Sequence, residues 1–97
     1  MEQIARLQEW YSDQCNGGWE HTHGVKLDTL DNPGWWLVVD LGGTNLAHKP
    51  FEAVARGDSE FDADWLRCKV VSGKFEAAGG SKNLADMLEV FLSWAGY

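Results

Sequence analysis

The sequence has little of what catalytic, metal and membrane chemistry usually require. There are only two cysteines, Cys15 and Cys68, in 97 residues. They form no CxxC pair and no zinc-ligand spacing, and two isolated reduced thiols suit a cytosolic protein. No apolar run approaches the ~20 residues that a membrane-spanning helix needs. The opening residues MEQIARLQEWY are amphipathic and acidic, unlike a secretory signal, which is basic and then apolar. Basic residues are scarce as well, 8 against 15 acidic, for a net charge of −7. That balance argues against direct nucleic-acid binding, which uses Lys and Arg patches, and favours a basic partner. Phosphate loops and nucleophile elbows are missing too, as are internal repeats. These absences predict a cytoplasmic protein with no cofactor, no metal, no catalytic residues and no membrane contact.

What is present is ordinary apart from tryptophan. The apolar (44%) and charged (24%) fractions are those of a globular chain. Residues 1–97 are long enough for one domain, which buries somewhat over ~60% of the surface its unfolded chain exposes. Six tryptophans are too many for so small a core to hide completely. At least one is expected to show a face to solvent, where Trp favours binding.

Periodicity orders the chain as helix, strands, helix. Residues 2–15 predict an amphipathic helix, with Ile4, Leu7 and Tyr11 at helical spacing and Trp10 beside them. Asn16-Gly17-Gly18 stops it. Residues 19–30 predict a strand, with alternation clearest from Val25 onward. Asp31-Asn32-Pro33-Gly34 predicts a type II turn, with Gly34 supplying the positive φ. Trp35 to Leu41 predicts the returning strand. Phe51 to Arg56, Trp65 to Ser72 and Lys74 to Ala77 complete a set of about five, with the acidic turn GDSEFDAD before Trp65. Ser81 is the expected cap of a last helix striped by Leu84, Met87, Leu88, Phe91 and Leu92, and Gly96 closes it. Short connections imply antiparallel neighbours. The expected fold is therefore α+β, an antiparallel sheet with both helices packed on one face and the other open to water.

Several clusters invite a chemical reading. His21 and His23 would share a strand face as a metal pair, with Glu20 on the opposite face and His48 distant. Cys15 or Cys68 could pair in space with a histidine as a small cysteine enzyme. Gly79-Gly80-Ser81 before a helix could hold an anion, although capping explains it as well. Asp28 and Asp40 are expected to meet across the hairpin on its second face. By alternation that face also gathers Lys26, Trp36, Val38, Trp65, Arg67 and Lys69. A mixed charged surface carrying two tryptophans suits a protein partner better than a small ligand.

Four stretches resemble a known family. WYSDQCNGGWEHTHG, LDTLDNPGWWLVVDLGGT, DWLRCKVVSGKFEAAGG and the terminal LEVFLSWA are similar to the immunity protein 53 family of bacterial polymorphic toxin systems. The resemblance covers nearly the whole chain. The family pattern falls on Trp19, Glu20, His21, Gly24, Thr29, Leu30, Asp31, Asn32, Pro33, Gly34, Trp35, Asp40 and Thr44. Trp36 lies outside it and rests on alternation alone. The resemblance implies an inhibitor that binds a cognate toxin protein in the cytoplasm and occludes its active or substrate-binding surface; in such systems the toxin is often a basic nuclease. Alternation and resemblance together nominate Glu20, His21, Asp28, Asp31, Asn32, Trp36, Asp40 and Trp65 as partner-binding residues. A ligand- or metal-binding module and a small cysteine/histidine enzyme stay as alternatives. A homodimer through an exposed sheet edge is also expected to be available.

Overall fold

The computed structural model describes residues 2–97. Helix α1 spans Glu2–Gln14 and a single helical turn, α2, spans Trp19–Thr22. Five strands follow: β1 Val25–Leu30, β2 Gly34–Asp40, β3 Val54–Arg56, β4 Leu66–Val71 and β5 Lys74–Gly79. Helix α3, Leu84–Ala95, ends the fold. The strands form one antiparallel sheet in the order β1-β2-β5-β4-β3. The expected α+β architecture is present, with β1 and β3 at the two edges.

Alternation decides what each strand buries. Leu37 and Val39 of β2, Leu66 and Cys68 of β4, and Phe75 and Ala77 of β5 point into the core. Met87, Leu88, Phe91 and Leu92 of α3 meet them, as the helical stripe predicts. Gly96 closes α3 in the left-handed conformation at φ 84°. In α1 the buried residue is Trp10, whereas Ile4 and Tyr11 of the expected stripe stay exposed. Trp10 has the largest side chain on that helix, so burying it gains most. Its ring meets Trp19 and Phe91 edge-on, at centroid distances of 5.9 and 5.0 Å. Phe75, Phe51 and Trp94 extend this aromatic cluster beneath the sheet. Arg6 of α1 clamps Glu89 of α3 through two hydrogen bonds of 2.7 and 3.0 Å. The guanidinium, with help from the Ser93 hydroxyl, holds the Glu89 carboxyl down at about 2.

The turns depart from expectation in instructive ways. Ser72 (φ 52°) and Gly73 (φ 76°) make the tight β4–β5 hairpin with the two positive φ angles that match strand twist. The β1–β2 turn is not type II. Gly34 has φ 159° and already pairs with Leu30 as the first residue of β2, so the loop is Asp31-Asn32-Pro33. Glycine is needed there for space: a Cβ would lie 2.4 Å from the Gly79 carbonyl oxygen on β5. The last helix starts at Leu84 with Asn83, not Ser81, before it. Asn83 is buried and uses its side chain on Asp64 (2.8 Å) and the Trp65 N–H (3.4 Å).

Candidate functional site

The segment Trp19–Thr22 is the largest local correction: it is a helical turn, not the start of a strand. Asn16 Oδ1 accepts the N–H groups of Gly18 and Trp19, at 3.0 and 2.9 Å. Glu20 answers from the other side, its two carboxylate oxygens each accepting a 2.9 Å bond from the N–H groups of Asn16 and Gly17. These reciprocal bonds satisfy the free donors at a helix start and outweigh the alternation. His21 and His23 therefore do not share a strand face. His21 is exposed, and His23 stacks on Trp19 with a ring separation of 5.7 Å. Among the described residues no three His, Cys, Asp or Glu side chains are grouped to hold a metal ion.

Glu20 was nominated for partner contact, yet both its oxygens are engaged within the chain. Hydrogen bonds from its own N–H and from Asn16 hold its carboxyl below the usual range. Its stabilising effect is thus complete above the unfolded carboxylate pKa and disappears as pH falls through the lowered folded value. Glu20→Gln is expected to melt below the wild type at neutral pH, with the two curves converging as acid is added. Equal melting temperatures at neutral pH would show that the carboxylate does not hold this loop.

Asp40 has a similar internal role. Its Oδ2 accepts the Gly24 N–H at 2.9 Å and its Oδ1 accepts Lys74 Nζ at 2.5 Å. Half-burial opposes its ionisation, but Lys74 and the Gly24 N–H prevail and lower its pKa. Asp40 does not face Asp28. The register puts Asp28 opposite Trp36, and Asp40 opposite Lys74.

The sheet face away from the helices is the surface these residues leave open. The strand register aligns Asp28, Trp36, Ala78, Arg67 and Ala55 in one row across all five strands. Lys26, Val38, Glu76 and Lys69 form the next row. Trp36, the third residue of β2, is 47% exposed. Beside it lies a shallow trough of about 530 Å³, with Ala53, Ala55 and Ala78 among its lining residues. Ala53 and Ala55 of the Phe51 to Arg56 stretch have side chains too short to fill this hollow. Trp65, expected on the same face, is only 7% exposed and has no surface to offer a partner.

Topology divides the nominated residues between two ends of the sheet. Glu20, His21 and Asp40 lie at the Gly24 end; Asp31 and Asn32 lie beyond Leu30 at the other. Along β2 the two ends are roughly 20 Å apart at ~3.3 Å per residue. The β3–β4 loop belongs to the Asp31 end, because Arg56 and Leu66 share the row next to Trp36. There Phe61 stands 83% exposed, flanked by Asp58, Glu60 and Asp62. The loop is pinned by Asp58, which accepts N–H groups from Glu60 and Asp62, while the Asp62 side chain accepts the Asp58 N–H. The acidity of this turn is plain in the sequence, but Phe61 was not among the nominated residues; its signal is an aromatic among acids with no strand or helix to bury it. The adjacent Asp64 is tied to Arg56, which also pairs with Asp86.

The thiols offer little chemistry. Cys68 is in the core, and burial pushes its thiol up to about 11, so it stays protonated at neutral pH. Cys15 donates to the Tyr11 carbonyl at 3.3 Å. No helix among the described residues is long and apolar enough to cross a membrane.

An antiparallel sheet covered by helices on one side, with an exposed Trp and an apolar hollow on the other, has the form of a binding domain. The family model for immunity protein 53 matches residues 4–96, and the chain belongs to that family. No curated protein and no solved structure matches it.

Proposed function

We propose that the protein binds a cognate bacterial toxin in the cytoplasm and neutralises it by covering the toxin's active or substrate-binding surface. Family membership supports the role. The observation that carries the choice of surface is Trp36, half-exposed beside the trough and at the Asp31 end of the sheet. Trp is the side chain most enriched among residues that dominate binding energy. Asp28, Asp31 and Asn32 surround that end, and the Phe61 loop adds Asp58, Glu60 and Asp62. Among the described residues none of these acids is in an ion pair, so they are available to a basic toxin such as a nuclease. Glu20 and Asp40 act instead as internal braces.

The test is co-expression with the toxin domain encoded beside this gene. The two proteins should co-purify and the cells should survive. Absence of binding between the purified pair would overturn the reading.

A further inference from the structure

The first strand has one edge that pairs with no other strand among the described residues. The Asp40 N–H donates to the Gly24 carbonyl at 3.0 Å, which makes Gly24 and Asp40 a hydrogen-bonded pair. Such pairs recur every second residue, so Lys26 and Asp28 also bond to β2. The backbone N–H and C=O groups of Val25, Leu27 and Thr29 consequently point outward from the sheet; the Thr29 N–H is met there by the Asp28 carboxylate at 2.8 Å, a contact that a second strand would replace. Among the described residues no proline, bulge or covering segment interrupts this stretch, and Lys26 to Thr29 are all exposed. Native proteins seldom leave such an edge bare.

The side chains favour one occupant. When a second β1 is laid antiparallel with Leu27 opposite its own copy, Lys26 falls opposite Asp28 and Asp28 opposite Lys26. Val25 then faces Thr29. Centring the pair on Lys26 or Asp28 instead would put like charges face to face, and it would place the wrong backbone groups at the junction. Leu27 lies on the helix side of the sheet yet is 44% exposed, because α1 does not reach over it. Exposed Ile4 and Tyr11, with Leu7 and Val25, line a hollow of about 350 Å³ along the same edge. Apolar surface, outward hydrogen-bonding groups and self-complementary charge therefore coincide on one short strand.

We propose that the protein forms a symmetric homodimer by antiparallel pairing of β1 with β1 of a second copy, centred on Leu27. The two-fold axis then runs perpendicular to the sheet and joins the two five-stranded sheets into one. Side chains opposite each other in an antiparallel pair share a face, so both Trp36 troughs look the same way. Pairing at β1 does not rest on the toxin reading, since it concerns only this chain.

Sedimentation equilibrium of the full chain tests it. Wild type is expected to be a dimer. Lys26→Asp and Asp28→Lys each set like charges opposite one another twice, and should raise the dimer dissociation constant about tenfold or more. The double variant K26D/D28K restores opposite pairing and should restore the dimer. All three variants change exposed side chains, those at Asp28 also removing its bond to the Thr29 N–H, and circular dichroism checks that the fold is kept. A second measurement covers a variant that fails to fold: Leu27→Cys in a Cys15→Ser background should oxidise to a disulfide-linked dimer. Paired Cα atoms at such a site are ~5.5 Å apart, within disulfide reach. A monomeric wild type, a dimer indifferent to the single reversals, or a Leu27→Cys variant that does not cross-link would overturn the proposal. Toxin binding by a monomeric Lys26→Asp variant would leave the toxin reading intact, so the two ideas fail separately.

Discussion

Trp36→Ala is expected to lower the melting temperature of the protein only modestly while weakening toxin binding ~30-fold or more. Trp36 lies on the open face of β2, where 47% of it is already in water, so truncation removes less folded-state burial than loss of a core ring such as Trp10 would. On binding, the same ring would lose its remaining water against the partner. Anchors of that kind typically cost ~2 kcal/mol or more when cut back to Ala. Calorimetric titration against the cognate toxin, with a thermal melt of the variant alone, separates the two effects. The neighbouring Trp35 is the contrast: it is part-buried against the core, and its Nε1 donates to the Ser81 carbonyl at 3.0 Å. Trp35→Ala should lower stability first. If Trp36→Ala binds toxin like wild type, the open face is not the contact surface, and Phe61→Ser becomes the informative variant.

Gly34→Ala is the second large effect, and it bears on the fold alone. A Cβ at residue 34 would sit 2.4 Å from the Gly79 carbonyl oxygen and 3.2 Å from Leu30 Cδ1. The Leu30 methyl can move aside, but the Gly79 oxygen belongs to the backbone of β5, in the middle of the sheet. Relief therefore requires β2 and β5 to part where Trp35 pairs with Gly79. Overpacking of this kind costs ~1–3 kcal/mol or more. Denaturant titration should show a lower midpoint with an unchanged slope. A midpoint equal to wild type would mean that glycine is not needed for close approach at this position.

Gly34 also shows where reading by residue type stops. Asn-Pro-Gly between two strands announces a turn, and a turn is present. Local chemistry offered positive φ as the purpose of the glycine, while the actual constraint comes from Gly79, far along the chain but adjacent in the sheet. WEHTHG is a similar case. Period-2 alternation of Trp and His suggests a strand, but Asn16 and Glu20 exchange hydrogen bonds with the intervening backbone and turn it into a helix. An Asn four residues before a Glu, across two glycines, is the sequence signal of that local bonding.

The positions that carry the family likeness mostly work within the fold. Trp19 Nε1 donates to the Gly42 carbonyl at 2.8 Å, and Thr44 Oγ1 donates to the Leu41 carbonyl at 2.7 Å. Glu20, Gly34, Trp35 and Asp40 have the internal roles described above. Trp36 and Phe61 are the two most exposed aromatics among the described residues.

Apart from the α2 turn, periodicity determined the order of the helices and strands and the inward faces of β2, β4 and α3, and the short connections determined the antiparallel arrangement, because burial acts on every residue at a spacing that local geometry sets. The tertiary structure decided what depends on contacts between distant segments. It buried Trp65 and exposed Trp36, placed Asp40 on Lys74 rather than Asp28, and brought the Phe61 loop to the same end of the sheet as Asp31. Strand order made the difference, since β2 pairs with β5 and β3 lies at the far edge. Alternation assigns a residue to a face, but only neighbours across the sheet determine whether that face is covered.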